Sequence, residues 1–148
     1  IGLIKVGVEP KVIEYNVRMG DPETEVVIPR IKSDFLNLLK GIKDGTFSEK
    51  DLDITEDFAT TVMLVSKGYP EEYEKGFEIS NLEECNENIV FHAGTKIENK
   101  SIKTNGGRVL AVTSFGKDMQ HALRKSYLGA EKINFTGKNY RKDIGFDL

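Results

Sequence analysis

Within the stretch VIEYNVRMGDPETE, residues 12–25, three polar side chains stand at alternate positions: Glu14, Asn16 and Arg18. Side chains alternate along an extended strand, so these three share one face at intervals of about 6.6 Å. Ile13, Tyr15 and Val17 take the other face, which is the expected core face. Glu14 and Asn16 offer hard oxygen donors. Mg²⁺ uses such donors, one or two at a time, while keeping waters and substrate phosphates in its shell. Arg18 adds a planar fork suited to a phosphate or carboxylate. Gly20-Asp21-Pro22 then turns toward a helix start, where free N–H groups favour anions. This set can serve a Mg²⁺–nucleotide site. The alternative is a half-exposed strand face carrying a salt bridge, and spacing alone favours it. An Asn inside a strand is disfavoured, and the polar face runs into a capped helix start; both lean toward the site.

The elements that must position these groups follow from local pattern. Gly2–Val6 and Lys11–Val17 form two β-rich runs with GVEP between them, which predicts a hairpin. Asp21 is a good N-cap, Pro22 suits the first helical position and Glu23 favours the positive end of the dipole. A short helix is expected there, stopping near Pro29. A second helix is expected from Ser33, with Phe35, Leu36, Leu38, Leu39 and Ile42 at helical spacing and KDG as its stop. The polar stretch Thr46–Asp57 reads as a connection between two lobes. Beyond it, strands are expected over FATTVMLVS, Gly76–Ile79, Ile89–Ala93, Ser101–Thr104 and Arg108–Thr113, with Asn105-Gly106-Gly107 as a hairpin turn. Lys117–Lys132 is a helix with Met119, Ala122, Leu123, Tyr127 and Ala130 on one stripe. The expected class is α+β.

Bulk properties narrow the function. The chain has 148 residues, 39% hydrophobic and 30% charged, enough for a packed core. A net charge of −3 gives no sign of nucleic-acid binding, and no apolar run reaches the ~20 residues of a membrane span. Cys85 is the only cysteine, which excludes an internal disulfide and a Cys-based zinc site. The expected location is the cytoplasm, without a membrane or nucleic-acid partner.

IEYNVRMGDPETE resembles the signature of the glycinamide ribonucleotide synthetase (phosphoribosylamine–glycine ligase) family, in the ATP-grasp superfamily. The family pattern Glu-x-Asn-x-Arg-x-Gly-Asp-Pro-Glu is met without a break by Glu14, Asn16, Arg18, Gly20, Asp21, Pro22 and Glu23. The similarity continues through KSDFLNLL, SKGYPEEYEKG, VFHAGT, GGRVLAVTSFG and YRKDIG. It implies an enzyme that joins glycine to 5-phosphoribosylamine with ATP, through glycyl phosphate, in purine synthesis. It also implies Mg²⁺ (or Mn²⁺) on Glu14 and Asn16. Arg18 would stabilise the transferring phosphoryl group. Gly20 and Asp21 would lie at the substrate, although Asp21 as a simple helix cap is an equal alternative. Residues 1–45 would be the C-terminal end of the ATP-grasp domain, and 46–148 a small mixed C-terminal lobe with mainly antiparallel strands. The family's substrate domain, lid and adenine-gripping strands would precede Ile1, so this chain is not expected to be a competent enzyme by itself. Rival assignments are another ATP-grasp carboxylate–amine ligase, a biotin-carboxylase-like protein, or a non-catalytic assembly module.

Other residues carry less. Gly107 and Arg108, with Gly106, are candidates to meet the ribose phosphate, against a plain hairpin turn with a surface Arg. His92 is expected to be a hydrogen-bonded core residue, His121 a surface residue and Cys85 an incidental loop residue. Tyr69-Pro70 reads as a turn. Arg141 and Asp143 either pair with each other or brace the cleft. Oligomeric state is not legible.

Overall fold

The computed structural model describes residues 1–20 and 22–146. Strands β1 (Gly2–Val6) and β2 (Glu9–Glu14) form the expected hairpin, and Gly7 supplies the positive φ of its two-residue loop. The strand ends earlier than its sequence suggests. Glu14 opposite Gly2 is the last pair, and β structure extends only as far as its partner. Tyr15 to Arg18 therefore leave the strand, and Asn16 and Arg18 do not lie on its pleat. The expected core face is exposed as well, with Ile13 at 63% and Val17 at 100%. Alternation separates two faces; what covers either of them is a tertiary matter.

Helix α1 spans Thr24–Val27 and continues as a 3₁₀ turn over Ile28–Arg30. Glu23 takes the position before it, and its carboxylate accepts the Gly20 N–H at 2.7 Å. Pro22 accordingly lies ahead of the helix. The expected cap at Asp21 lies outside the described residues. Helix α2 (Phe35–Asp44) is capped by Asp34, whose side chain accepts the Asn37 N–H, one residue later than expected; Gly45 at φ +69° ends it. Ser33 is occupied elsewhere. Its hydroxyl donates to the Asp51 carbonyl and accepts the Asp53 N–H, both at 2.7 Å. With the Ile31–Ile54 bridge, this folds the connecting stretch back along residues 30–33.

The second half is built on a four-stranded antiparallel sheet. Its strands are β3 (Phe58–Ser66), β4 (Ile89–His92), β7 (Arg108–Gly116) and β8 (Lys138–Asn139), in the order β4-β7-β3-β8. A separate hairpin pairs β5 (Thr95–Glu98) with β6 (Ser101–Thr104). Its tight turn is Asn99-Lys100, both at positive φ, as the favoured two-residue hairpin loop requires. Asn105-Gly106-Gly107 is thus not a hairpin turn: β6 and β7 belong to different sheets, and this segment is the corner between them. Residues 76–79 run beside β6 through Gly76 N–H to Thr104 O and Ile79 N–H to Ile102 O, with one bridge, instead of forming a full strand.

Helix α3 (Met119–Lys132) is capped by Asp118, which accepts the His121 N–H, and lies on one sheet face. Val62, Leu64, Leu110, Val112, Leu123, Ala130 and Ile133 form the core between them. Burying such side chains supplies about 1.5–3 kcal/mol each. Ser126 on α3 donates to the Thr60 carbonyl at 3.0 Å, which satisfies its buried hydroxyl. Helix α1 lies against β3 and β7. Thr113 Oγ1 donates to the Glu25 carbonyl at 2.9 Å, and Thr61 Oγ1 lies 2.7 Å from Thr113 Oγ1. The architecture is mixed α+β with antiparallel sheets and three α-helices among the described residues. None of those helices is long and apolar enough to cross a membrane.

On the β5–β6 hairpin, Glu98 takes Lys103 Nζ at 2.7 Å and Lys96 Nζ at 3.1 Å. Those hydrogen bonds, Lys103 first, hold its carboxyl down to about 2 from an ordinary 4.5. A lowered folded-state value means the contact stabilises fully above the ordinary value and is lost as pH falls toward 2. An NMR titration of the Glu98 carboxyl is expected to centre near 2 and to move upward in Lys103→Gln. A midpoint at the ordinary glutamate value in the unaltered chain would contradict the contact.

Candidate functional site

Glu14 closes β2 and Asn16 follows it, with Asn16 Nδ2 donating to Glu14 Oε1 at 3.2 Å. The carboxylate and the amide are therefore neighbours even though the strand has ended. Amide nitrogen and oxygen exchange by a half-turn, so the same side chain can direct its oxygen to where the carboxylate points. Two adjacent hard donors suit a divalent cation that fills its shell with water and phosphate. Among the described residues no cluster of three His, Cys, Asp or Glu forms a self-sufficient metal cage. The donor set thus fits a shared substrate–metal site better than a structural one. Arg18 follows, its Nη1 donating to the Met19 carbonyl at 3.2 Å. Asn16, Arg18 and Glu23 line one open cavity of about 540 Å³.

A second concavity, of about 680 Å³, lies on the sheet near α1 and reaches Arg108. Pro22 shares its wall with Arg108 and Arg141, so the two sequence-predicted segments meet here through Pro22. Glu14, Asn16 and Arg18 do not line it; Asn16 and Arg18 stay at the first cavity. Asp21, a substrate candidate, lies outside the described residues, and Gly20 is held by Glu23. Gly107 sits where a Cβ would overlap the Tyr69 ring, and its carbonyl accepts the Ser66 N–H at 2.8 Å. Its lack of a side chain leaves room for the Tyr69 ring, which lines the pocket.

Sequence reasoning left Arg141 undecided and assigned no chemistry to Tyr69. Arg141 lines the pocket while forming a two-bond pair with Asp143, Nε to Oδ1 and Nη2 to Oδ2 at 2.9 Å each. That pair lowers the Asp143 carboxyl below its usual range. The signal lay in YRKDIG, where an acid two residues after an arginine can orient its fork. His92 is hydrogen-bonded, Nδ1 to Thr95 Oγ1 at 3.0 Å, but exposed at the end of β4, not in the core. His121 is half-buried on α3, and its Nδ1 is buried without a hydrogen-bond partner. Cys85 is no incidental loop residue: it is 4% exposed within the core, with Sγ 3.6 Å from the Gly129 carbonyl, and burial pushes its thiol up.

Comparison with known proteins adds a lineage. Residues 59–147 match the sequence pattern of the family "Phosphoribosylglycinamide synthetase, C domain". The chain is 46% identical over 145 residues to a phosphoribosylamine–glycine ligase of Halalkalibacterium halodurans, covering 97% of this chain and 33% of that protein. It is 43% identical over 143 residues to the ligase of the same name from Caldanaerobacter subterraneus subsp. tengcongensis, covering 97% and 34%. A crystal structure of the phosphoribosylamine–glycine ligase from Thermotoga maritima superposes with a TM-score of 0.83 at 39% identity, over 96% of this chain and 35% of that one. The chain spans about a third of the length of these relatives.

Proposed function

Since the chain belongs to the phosphoribosylglycinamide synthetase C-domain family, we propose that it is the C-terminal part of an ATP-dependent ligase that joins glycine to 5-phosphoribosylamine. The observation that carries this reading is collinear similarity over 97% of the chain to enzymes named for that reaction. Residues 1–45 then belong to the end of an ATP-grasp domain and residues 46–148 to the C-terminal lobe. The enzyme works in the cytoplasm on glycine, phosphoribosylamine and ATP.

Glu14 and Asn16 would hold Mg²⁺ or Mn²⁺, which neutralises and orients ATP phosphates when bound. The glycine carboxylate attacks the γ-phosphorus and ADP leaves, giving glycyl phosphate. The phosphoribosylamine nitrogen then attacks the acyl carbon and phosphate leaves, forming the amide. Such phosphoryl transfer depends on positioning and charge, not on a protein nucleophile. Arg18 meets the charge on the transferring group, and Gly20 and Asp21 position the reacting ends. Gly107 and Arg108 bind the substrate from the sheet side. Support for this division of labour comes from Pro22, the one residue of the 14–23 segment that lines the pocket with Arg108 among the described residues.

The complete polypeptide containing this chain is expected to release phosphate from ATP only with glycine and phosphoribosylamine both present, and to form the amide. The 148-residue chain alone is expected to release none. Failure of the complete protein to make the amide would overturn the ligase reading. Turnover by the chain alone would overturn the assignment of the remaining catalytic parts to other segments.

A further inference from the structure

We propose that Thr113 is a positioning residue for the metal-binding segment: with Thr61 it locks helix α1 to the sheet, and that lock sets where Asn16 and Arg18 stand around their cavity. This deepens the ligase reading and rests on its assignment of a metal–nucleotide to Glu14 and Asn16. The lock begins in the sequence. In a helix each carbonyl accepts the N–H four residues on. In α1 the Glu23 carbonyl takes the Val27 N–H at 2.9 Å, and the Thr24 carbonyl takes the Ile28 N–H. The next acceptor, Glu25, meets residue 29, which is proline and has no N–H to give. Its carbonyl is released from the helix and needs another donor where the helix packs on the sheet.

Thr113 is that donor. Thr61 and Thr113 pair directly on β3 and β7, so they project to one face. Their neighbours Val62 and Val112 point the other way, into the core beneath α3. Thr113 is fully buried, and its hydroxyl gives its one proton to the Glu25 carbonyl at 2.9 Å. Thr61 Oγ1, 2.7 Å away, therefore donates to Thr113. The result is a one-way relay from Thr61 to Thr113 to Glu25. From α1 the constraint reaches the cavity in short steps. Tyr15 to Gly20 have no helix or strand of their own, so side bonds must hold them. Glu23, just before the helix, accepts the Gly20 N–H at 2.7 Å. Thr24 donates to the Gly20 carbonyl through its N–H and its hydroxyl, each at 3.2 Å. Glu23 also shares the cavity wall with Asn16 and Arg18. A buried hydroxyl of the second half thus fixes the α1 side of the site.

The test uses the complete polypeptide and Mn²⁺–ATP without glycine or phosphoribosylamine. Bound metal is read by water-proton relaxation, so no turnover is needed. Thr113→Val keeps the shape and removes the donor, and should weaken Mn²⁺–ATP about fivefold. Thr113→Ser restores the donor and should bind as the unaltered protein does. Thr61→Val leaves the Thr113–Glu25 bond in place and should change affinity by no more than about twofold. Pro29→Ala supplies the N–H that proline lacks, so in Pro29→Ala with Thr113→Val the Glu25 carbonyl regains a partner within the helix. The unfolding midpoint of that double variant should rise above that of Thr113→Val, while Mn²⁺–ATP binding stays weak because the helix is still unlocked from the sheet. The double variant also carries the test if Thr113→Val alone does not fold. Unaltered affinity in Thr113→Val, no rescue by serine, or affinity that recovers together with stability in the double variant would each overturn the proposal. If the complete protein makes no amide while its Mn²⁺–ATP affinity still depends on Thr113, the ligase reading falls and the lock stands.

Discussion

Under the proposed ligase reading, Glu14→Gln in the complete protein is expected to lower kcat on the order of 10²–10³-fold, with Asn16→Ala close behind. Both side chains are exposed at the end of the β1–β2 hairpin, where Asn16 donates to Glu14. Exposed substitutions of this kind change stability by about 0.5 kcal/mol or less. The loss therefore reads chemistry, not folding. Glutamine keeps the shape of Glu14 but removes its charge, so the Mg²⁺ concentration needed for half-maximal rate should rise along with the fall in turnover. The paired measurement is thermal unfolding, which should be unchanged, beside a Mg²⁺ titration of initial rate. Full Mg²⁺-dependent activity in the double variant would remove the metal assignment.

A large effect on stability is expected from Gly94→Ala, a loss of about 3 kcal/mol. A Cβ at Gly94 would meet the Arg108 carbonyl oxygen and would lie 2.6 Å from Gly106 Cα. Both obstacles are backbone, so neither can rotate aside. The same glycine donates its N–H to Arg108 O at 2.8 Å and accepts from the Asn105 N–H at 2.7 Å. Relieving the clash breaks those bonds at the corner where β4, β6 and β7 approach one another. The nearest obstacle to Gly107→Ala is the Tyr69 side chain, which is partly exposed and able to swing. That change should cost about 1 kcal/mol and act mainly on the pocket. Urea unfolding distinguishes the two: with a slope near 2 kcal/mol/M, Gly94→Ala shifts the midpoint by about 1.5 M. A shift no larger than that of Gly107→Ala would contradict the close backbone approach.

Features governed by neighbours in the chain were legible without coordinates. The β1–β2 hairpin follows from a turn-rich segment between two β-rich runs, and α3 from the apolar stripe over Lys117–Lys132. The start of α2 was displaced by one residue because Ser33 and Asp34 are both good caps, and the tertiary bonds of Ser33 to Asp51 and Asp53 decide between them. β5 was missed because Asn105-Gly106 carries the stronger local turn signal. The real hairpin turns on Asn99-Lys100, where two non-glycine residues accept positive φ.

The candidate site divides in the same way. Glu14, Asn16 and Arg18 are neighbours in the chain, so their side-chain chemistry makes them candidates even though spacing alone favours a plain strand face, and the family resemblance implies roles for them. Their exact presentation was misjudged because a strand ends where its partner ends. The pocket has no such local code. Arg108, Val65 and Asn139 are distant in sequence and become one row only through the strand order β7-β3-β8. Sequence by itself determined which groups are available and how each segment bends, since those depend on side-chain type and backbone preference. Tertiary structure alone decided that Arg108 and Arg141 face the same space, because antiparallel register sets which distant residues share a face.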